Sequence, residues 1–274
     1  MDALQAKANE IRIRLLEMIH TGKTGHTGGA LSSTDILTTL YYHVLHVDPK
    51  NPGWEDRDRF VLSKGHCVEG LLCILADKGF FDKAILQTFS QYKSSLIGHP
   101  NNKIPGIEVC SGALGHGLSV GVGMALGAKR TNKAYRTFVL MGDGEQAEGS
   151  VWEAAMAGSH YKLDNLFGIV DRNHLQISGN TEDVMALENF ADKWRAFGWD
   201  VYEIDGHNFQ EIINTIETAR KTEGKPHLII AHTVKGKGVS FMENVAKWHH
   251  GVPTDEQLAQ AVKELGGDLD ERTM

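Results

Sequence analysis

The sequence predicts an α/β fold, a parallel sheet flanked by helices on both faces, and three observations carry that expectation. Short apolar runs alternate with helical patterns, as where Phe138-Val139-Leu140-Met141 is followed by a helix-like segment and then by Leu166 to Val170. Strands and helices alternating in this way build βαβ crossovers and hence parallel sheets. The 30 glycines cluster at the turns between such strands and the helices after them rather than in a linker. No repeat, low-complexity stretch or internal boundary divides the 274 residues, which suffice for one large domain of this class.

Taken in order, residues 3 to 20 carry Leu4, Ala8, Ile11, Leu15 and Met18 at helical spacing, an amphipathic helix. It stops at TGKTGHTGGALSS, where His26 stands among glycines; the histidine is either solvated or presented to a ligand. Ser32-Ser33-Thr34-Asp35 reads as a helix start, with short polar side chains to cap free N–H groups and a helix running to about His46. A polar loop precedes a strand, Arg59 to Leu62, and Ser63-Lys64-Gly65-His66 leads into an apolar helix from Val68 to Lys78. His66 thus sits at a strand-to-helix turn. In Ile97-Gly98-His99-Pro100 the proline biases His99 toward an extended conformation that presents its side chain.

In SGALGHGLSVGVGMALGAKR, Gly112, Gly115 and Gly117 precede a small-residue helix, an arrangement that offers free N–H groups and a helix dipole to an anion. Gly121, Ala125 and Gly127 suggest close packing by the same helix. After the Gly142-Asp143-Gly144 turn and its helix comes DRNHLQISG. Trp199 to Ile204 and His227 to Ala231 read as buried strands joined by a helix from Asn208 to Arg220. A glycine-lysine loop follows, and residues 254 to 265 form a charged surface helix ahead of a polar tail.

Composition narrows the function. A net charge of −7 provides no positive field for nucleic acid or an anionic membrane. No stretch approaches the roughly 18 apolar residues of a membrane helix, and the N-terminus lacks the apolar core of a signal peptide. Cys67, Cys73 and Cys110 have no metal or CxxC spacing and fit buried, reduced thiols. The expectation is a cytoplasmic protein with neither nucleic-acid nor membrane partners.

Asp143 and Asn173 carry the chemistry. Each follows a strand, and they are 30 residues apart, about one βαβ crossover. In open parallel sheets ligands collect beyond the carboxyl ends of strands. An Asp carboxylate, an Asn amide oxygen and a nearby backbone carbonyl are hard donors suited to Mg²⁺ or Ca²⁺ carrying phosphate oxygens. The flanking glycines let backbone approach a phosphate closely. Asp-Gly by itself is also a common turn pair.

GDG followed about thirty residues later by Asn resembles the thiamine-diphosphate signature, and GDGEQAEGSVWEAAMAG with DRNHLQISG resembles transketolase. GHTGG, SKGH, IGHP and HHG stand where that family carries similar elements. The resemblance implies the thiamine-diphosphate-binding fold across residues 1 to 274 as one domain. It implies thiamine diphosphate bound through Mg²⁺, with Ca²⁺ or Mn²⁺ as substitutes, the ion being held by Asp143, Asn173 and the Leu175 carbonyl. Arg172 stands where many relatives carry Asn or Asp. Cofactor contacts are implied for His66, Gly115, His116, Gly117, Gly142, Asp143, Gly144, Glu145, Asn173, Ile177, Lys235 and His250. His116 replaces the family's usual Gln. Catalytic roles are implied for His26, His66, His99, His250 and Glu148, with His249 competing with His250, and with Glu148 either linking active sites across a subunit interface or an ordinary first-turn acid.

The resemblance ends where the domain supplying the activating glutamate would begin. It therefore implies the N-terminal subunit of a split transketolase, which moves a two-carbon ketol unit between sugar phosphates, with a separate C-terminal subunit in an α₂β₂ heterotetramer. The polar tail is consistent with a natural end. The α subunit of a 2-oxo acid dehydrogenase and a catalytically silent scaffold are the alternatives. The sugars, and whether they belong to the pentose phosphate route or a dedicated one, are left open.

Overall fold

The computed structural model describes residues 1–268. Its strands are β1 (Arg59–Leu62), β2 (Thr137–Gly142), β3 (Leu166–Arg172), the short hairpin pair β4 (Leu175–Gln176) and β5 (Gly179–Asn180), β6 (Asp200–Asp205) and β7 (His227–His232). Five of them form one sheet in the order β1-β2-β3-β7-β6, and every pairing in it is parallel. All seven residues of β3 are buried, as expected for a central strand covered on both faces.

The helices are α1 (Asp2–Gly22), α2 (Thr27–Thr39), α3 (Val68–Lys78), α4 (His116–Arg130), α5 (Gly149–His160), the one-turn α6 (Thr181–Val184), α7 (Phe190–Ala196), α8 (Phe209–Ala219) and α9 (Asp255–Glu264). Strand alternation sorts them into two layers. Phe138, Leu140, Phe167 and Ile169 join one core with α1, α2, α3, α8 and α9. Val139, Met141 and Val170 join a second core with α4, α5 and α7. Helices thus cover both faces, and the Asn208 to Arg220 pattern is α8, capped by the Asn208 side chain on the Gln210 and Glu211 amides.

The structure corrects local expectations around α2 and at Cys110. The helix expected to start at Ser32 begins at Thr27, with His26 in the capping position, and all thirteen residues of α2 are buried. Ser33 and Thr34 do not cap. Their hydroxyls donate to the Gly29 and Ala30 carbonyls one turn back, while Asp35 pairs with Arg12. Gly28 and Gly29 serve close approach rather than a turn, because a Cβ on them would lie 2.8 Å from the Trp248 carbonyl oxygen and 2.5 Å from Cys67 Sγ. Past Thr39 the helix widens into a π-turn over Leu40–Val44 and does not run on to His46. Cys110 is exposed, unlike Cys67 and Cys73.

Gly121 fulfils the packing reading, since a Cβ there would meet Val139 at 2.4 Å, whereas at Gly127 it would only reach the Tyr135 hydroxyl at 4.0 Å. No helix among the described residues is long and apolar enough to cross a membrane. The tail after 268 lies outside the described residues.

Candidate functional site

β2 and β3 are neighbours, with Gly142 opposite Asp171, so Asp143 and Asn173 leave the sheet side by side. A cavity of about 380 Å³ opens beyond these strand ends. Asp143 is buried; its Oδ1 accepts from the Gly144 N–H at 2.8 Å and its Oδ2 from the His174 N–H at 2.6 Å. Burial, followed by the nearby Asp171 charge, nevertheless pushes its carboxyl above the usual range. Asn173 is turned by its own Oδ1, which accepts from the Leu175 N–H at 3.1 Å. The Leu175 carbonyl accepts from Lys235 Nζ at 2.9 Å.

A buried polar spine supports this floor. Lys64 forms an ion pair with Asp171 and donates to the Gly29 carbonyl at 3.1 Å. Asp171 also accepts from the Ser32 hydroxyl at 2.6 Å and from Thr233. Burial opposes the Asp171 charge, but Lys64 and these hydroxyls overcome it and hold the carboxyl low. Glu145 ties the glycine turns together, accepting from Gly115 N–H at 2.8 Å, Gly142 N–H at 2.9 Å and the Ser63 hydroxyl. The Gly117 N–H goes to Ser63 Oγ at 3.1 Å. The free amides expected at Gly115 and Gly117 are therefore already used inside the protein. These glycines serve close approach instead, since a Cβ on Gly117 would lie 2.4 Å from Ser63.

The histidines converge. Around the His26 ring lie His250 at 4.8 Å, His66 at 5.1 Å, His249 at 5.7 Å and His99 at 6.1 Å, centroid to centroid. The Gly251 N–H donates to the Gly25 carbonyl at 3.2 Å, which brings the distant HHG segment here. Glu69, fully buried on α3, accepts from the His26 N–H at 2.8 Å and fixes the turn. Gly112, at φ 148°, leaves room for the His99 ring. Burial first, and neighbouring imidazoles and lysines next, push His26 down to about 3, His66 to about 4 and His249 to about 3. These rings are neutral near pH 7.

Placement differs among the residues read from sequence. His26, His66, Gly142, Asp143, Gly144, Glu145, Asn173, Leu175, Ile177 and Lys235 line the cavity. His116 does not; it is exposed, with Nδ1 on the Leu114 carbonyl at 3.0 Å. His249 lines the cavity, 3.1 Å from Lys235 Nζ, whereas His250 is more exposed and contacts Thr24. Glu148 is exposed at the start of α5, outside the cavity. Lys64, Asp171 and Glu69 went unassigned by sequence reasoning. SKGH already contained the lysine, but pairing across more than a hundred residues leaves no local signal.

The donor set fits a divalent ion carrying a phosphate. Asp143 is a buried carboxylate whose ion pair, with Arg172, is a long 3.5 Å, and it stands beside an amide oxygen and a carbonyl whose second lone pair Lys235 does not use. Lys235 is a buried ammonium whose contacts are the Leu175 carbonyl and His249; no carboxylate pairs with it among the described residues. Burial lowers its pKa, and an anion in the cavity would relieve that.

The chain matches the model of the family described as transketolase, thiamine diphosphate binding domain, over residues 3–273. It is 55% identical to a Phocaeicola vulgatus protein named as one of the subunits of apulose-4-phosphate transketolase, across 97% of this chain and 94% of that one. It is 43% identical to the 6-deoxy-6-sulfo-D-fructose transketolase subunit SqwG of a Clostridium species, across 96% of each. The transketolase structure from Campylobacter jejuni superposes with a TM-score of 0.93 at 35% identity, covering 98% of this chain and 43% of that one. The fold, the site and these likenesses agree: this chain belongs to the transketolase family, within its thiamine-diphosphate-binding domain.

Proposed function

We propose that this chain is the N-terminal subunit of a two-chain transketolase and moves a two-carbon ketol unit from a ketose phosphate to an aldose phosphate. The observation that carries the reading is the convergence of Asp143, Asn173, the Leu175 carbonyl and unpaired Lys235 on one glycine-walled cavity. Asp143, Asn173 and Leu175 would hold Mg²⁺, and Lys235 would face the diphosphate. Bound thiamine diphosphate supplies a carbanion centre to the ketose carbonyl. His26, His66 and His249, neutral near pH 7, each offer one donor and one acceptor to sugar hydroxyls, with His99 and His250 beside them, and the group passes protons between those hydroxyls.

The cavity also supports the need for a partner. Among the described residues its carboxylates are Asp143 and Glu145, and both accept from backbone amides. A carboxylate to activate the cofactor's aminopyrimidine must come from a second chain, which fits the naming of the relatives as subunits. We assign residues 1 to 274 to one domain, Glu148 to the surface between subunits, the assembly to α₂β₂ and the location to the cytoplasm. The relatives' names favour sugar transfer over 2-oxo acid oxidation or a silent scaffold. The 55% relative points to apulose-4-phosphate as donor.

The test is turnover with apulose-4-phosphate and with xylulose 5-phosphate, each with an aldose phosphate acceptor, using the chain alone and then with its C-terminal partner. Turnover is expected only in the pair and higher with apulose-4-phosphate. A pair that binds no thiamine diphosphate would overturn the reading. Binding with turnover of xylulose 5-phosphate alone would overturn the donor.

A further inference from the structure

Away from the cavity, two buried groups and a half-buried histidine form a chain that the proposed function does not use. Arg12 on α1 pairs with Asp35 Oδ2 on α2 at 2.7 Å, and both side chains are 2% exposed. The same oxygen lies 2.7 Å from Nδ1 of His207, in the turn between β6 and α8. On the other side of that ring, Nε2 lies 2.8 Å from the backbone nitrogen of Val234. A peptide N–H can only donate, so Nε2 is the unprotonated nitrogen and the ring hydrogen is on Nδ1, directed at Asp35. The ring is held at both ends in one tautomer.

Val234 immediately precedes Lys235, whose Nζ reaches the Leu175 carbonyl and faces the cavity. Thr233 is tied to Asp171 by its hydroxyl, and the Gly236 N–H donates to the Gly28 carbonyl at 2.9 Å. Between these two anchors, and beside the Asn244 N–H that donates to the Lys235 carbonyl at 2.8 Å, the Val234 N–H bond to His207 holds the Thr233–Val234 peptide one residue ahead of the lysine.

We propose that His207 is a positioning residue: by accepting from Val234 it aims the Lys235 ammonium into the cavity and sets cofactor affinity without touching the cofactor. The inference rests on the reading of the cavity as a diphosphate site. The competing role is purely structural, with His207 serving only as a hydrogen-bond donor to buried Asp35.

Two substitutions separate these roles. In His207→Asn the side-chain amide stands near the Nδ1 position, where it still donates to Asp35 but leaves the Val234 N–H unpaired. In His207→Gln the amide oxygen reaches the Nε2 position and accepts from Val234, while the donor to Asp35 is lost. Thiamine diphosphate affinity with saturating Mg²⁺ is measured by calorimetry on the chain assembled with its partner, alongside thermal midpoint and hydrogen exchange at the Val234 amide. H207N should weaken affinity about tenfold and speed Val234 exchange, and H207Q should stay within about threefold of wild type. Wild-type affinity in H207N, or weaker binding in H207Q than in H207N, overturns the proposal. So does fast exchange at Val234 in the wild-type protein, whether or not the variants fold. A wild-type assembly that binds no thiamine diphosphate would instead sink the functional reading, and Val234 exchange would still decide whether His207 holds this segment.

Discussion

Replacing Lys64 with methionine would leave the Asp171 carboxylate buried with hydroxyl donors but no cation. The two side chains are 2% and 0% exposed, and Asp171 would keep its bonds from Ser32 and Thr233. Removing one member of a buried pair costs about 3–5 kcal/mol, and the retained hydroxyls place this case near the lower end, about 3 kcal/mol. For a chain of this size that is a fall in midpoint of roughly 6–12 °C. The pH dependence follows from the shift. In the wild type the Asp171 carboxyl is held below its ordinary value, since Lys64 outweighs the effect of burial. Its contribution is present above the unfolded value of about 4 and is lost as pH falls through the folded value. In K64M burial goes unopposed by a cation and the folded value rises above the unfolded one. Its contribution is then present below about pH 4 and lost as pH rises. Thermal unfolding of wild type, K64M and K64M/D171N at pH 5 and pH 8 should show the K64M deficit largest at pH 8, with the double variant recovering much of it. A deficit equal at both pH values, or a double variant no more stable than K64M at pH 8, would show that Lys64 acts by packing alone.

Two further outcomes are expected. Asp143→Asn should fold, with the ligand-free midpoint moving by only a few degrees, about 1–2 kcal/mol, while the rise in midpoint produced by Mg²⁺ with thiamine diphosphate disappears; a normal rise would remove Asp143 from the metal site. Glu69 is pushed up to about 8 by burial and then by Cys67, from an ordinary value of 4.5. Because the folded value is the higher one, its contribution is present below 4.5 and is lost as pH rises through about 8. Glu69→Gln keeps an acceptor for the His26 N–H without a titrating proton, so its midpoint should vary less than wild type between pH 5 and pH 9, and equal slopes would contradict the assignment.

What the sequence could disclose follows from which forces are local. Apolar runs and cap residues act over a few positions, so strands such as Leu166 to Val170 and helices such as Val68 to Lys78 were legible within a residue or two. The start of α2 was not, because Ser32 to Asp35 look like caps until Arg12, Asp171 and the helix's own carbonyls are seen to satisfy them. The adjacency of the candidate metal ligands was legible because crossover length places Asp143 beside Asn173. The distinction between His249 and His250 was not. The Lys235 contact places His249 on the cavity, while Thr24 holds His250 toward the outside. Glycine spacing suggested an anion site at the start of α4, but nothing local to it revealed that Glu145 and Ser63 take those amides from across the fold.

Asp143 and Lys235 line one cavity, and no ion pair joins them among the described residues. Burial pushes the Asp143 carboxyl up in spite of the Arg172 guanidinium 3.5 Å away, and pulls the Lys235 ammonium down, so neither charge is fully compensated. A divalent cation alone would satisfy Asp143 but repel Lys235 and Lys64. A diphosphate alone would satisfy Lys235 and be repelled by Asp143. Each ligand therefore supplies the counter-charge the other requires, and their binding should be coupled by about tenfold or more. Coupling between binding equilibria is reciprocal, so the factor by which Mg²⁺ tightens thiamine diphosphate must equal the factor by which thiamine diphosphate tightens the metal. Calorimetry of the cofactor with and without saturating Mg²⁺, set against Mn²⁺ binding followed by electron paramagnetic resonance with and without cofactor, measures both sides. Lys235→Met should weaken the cofactor more than the metal, since it removes only the anion's partner. Independent binding of the two ligands would mean that these separated buried charges are not what selects a metal-bound diphosphate.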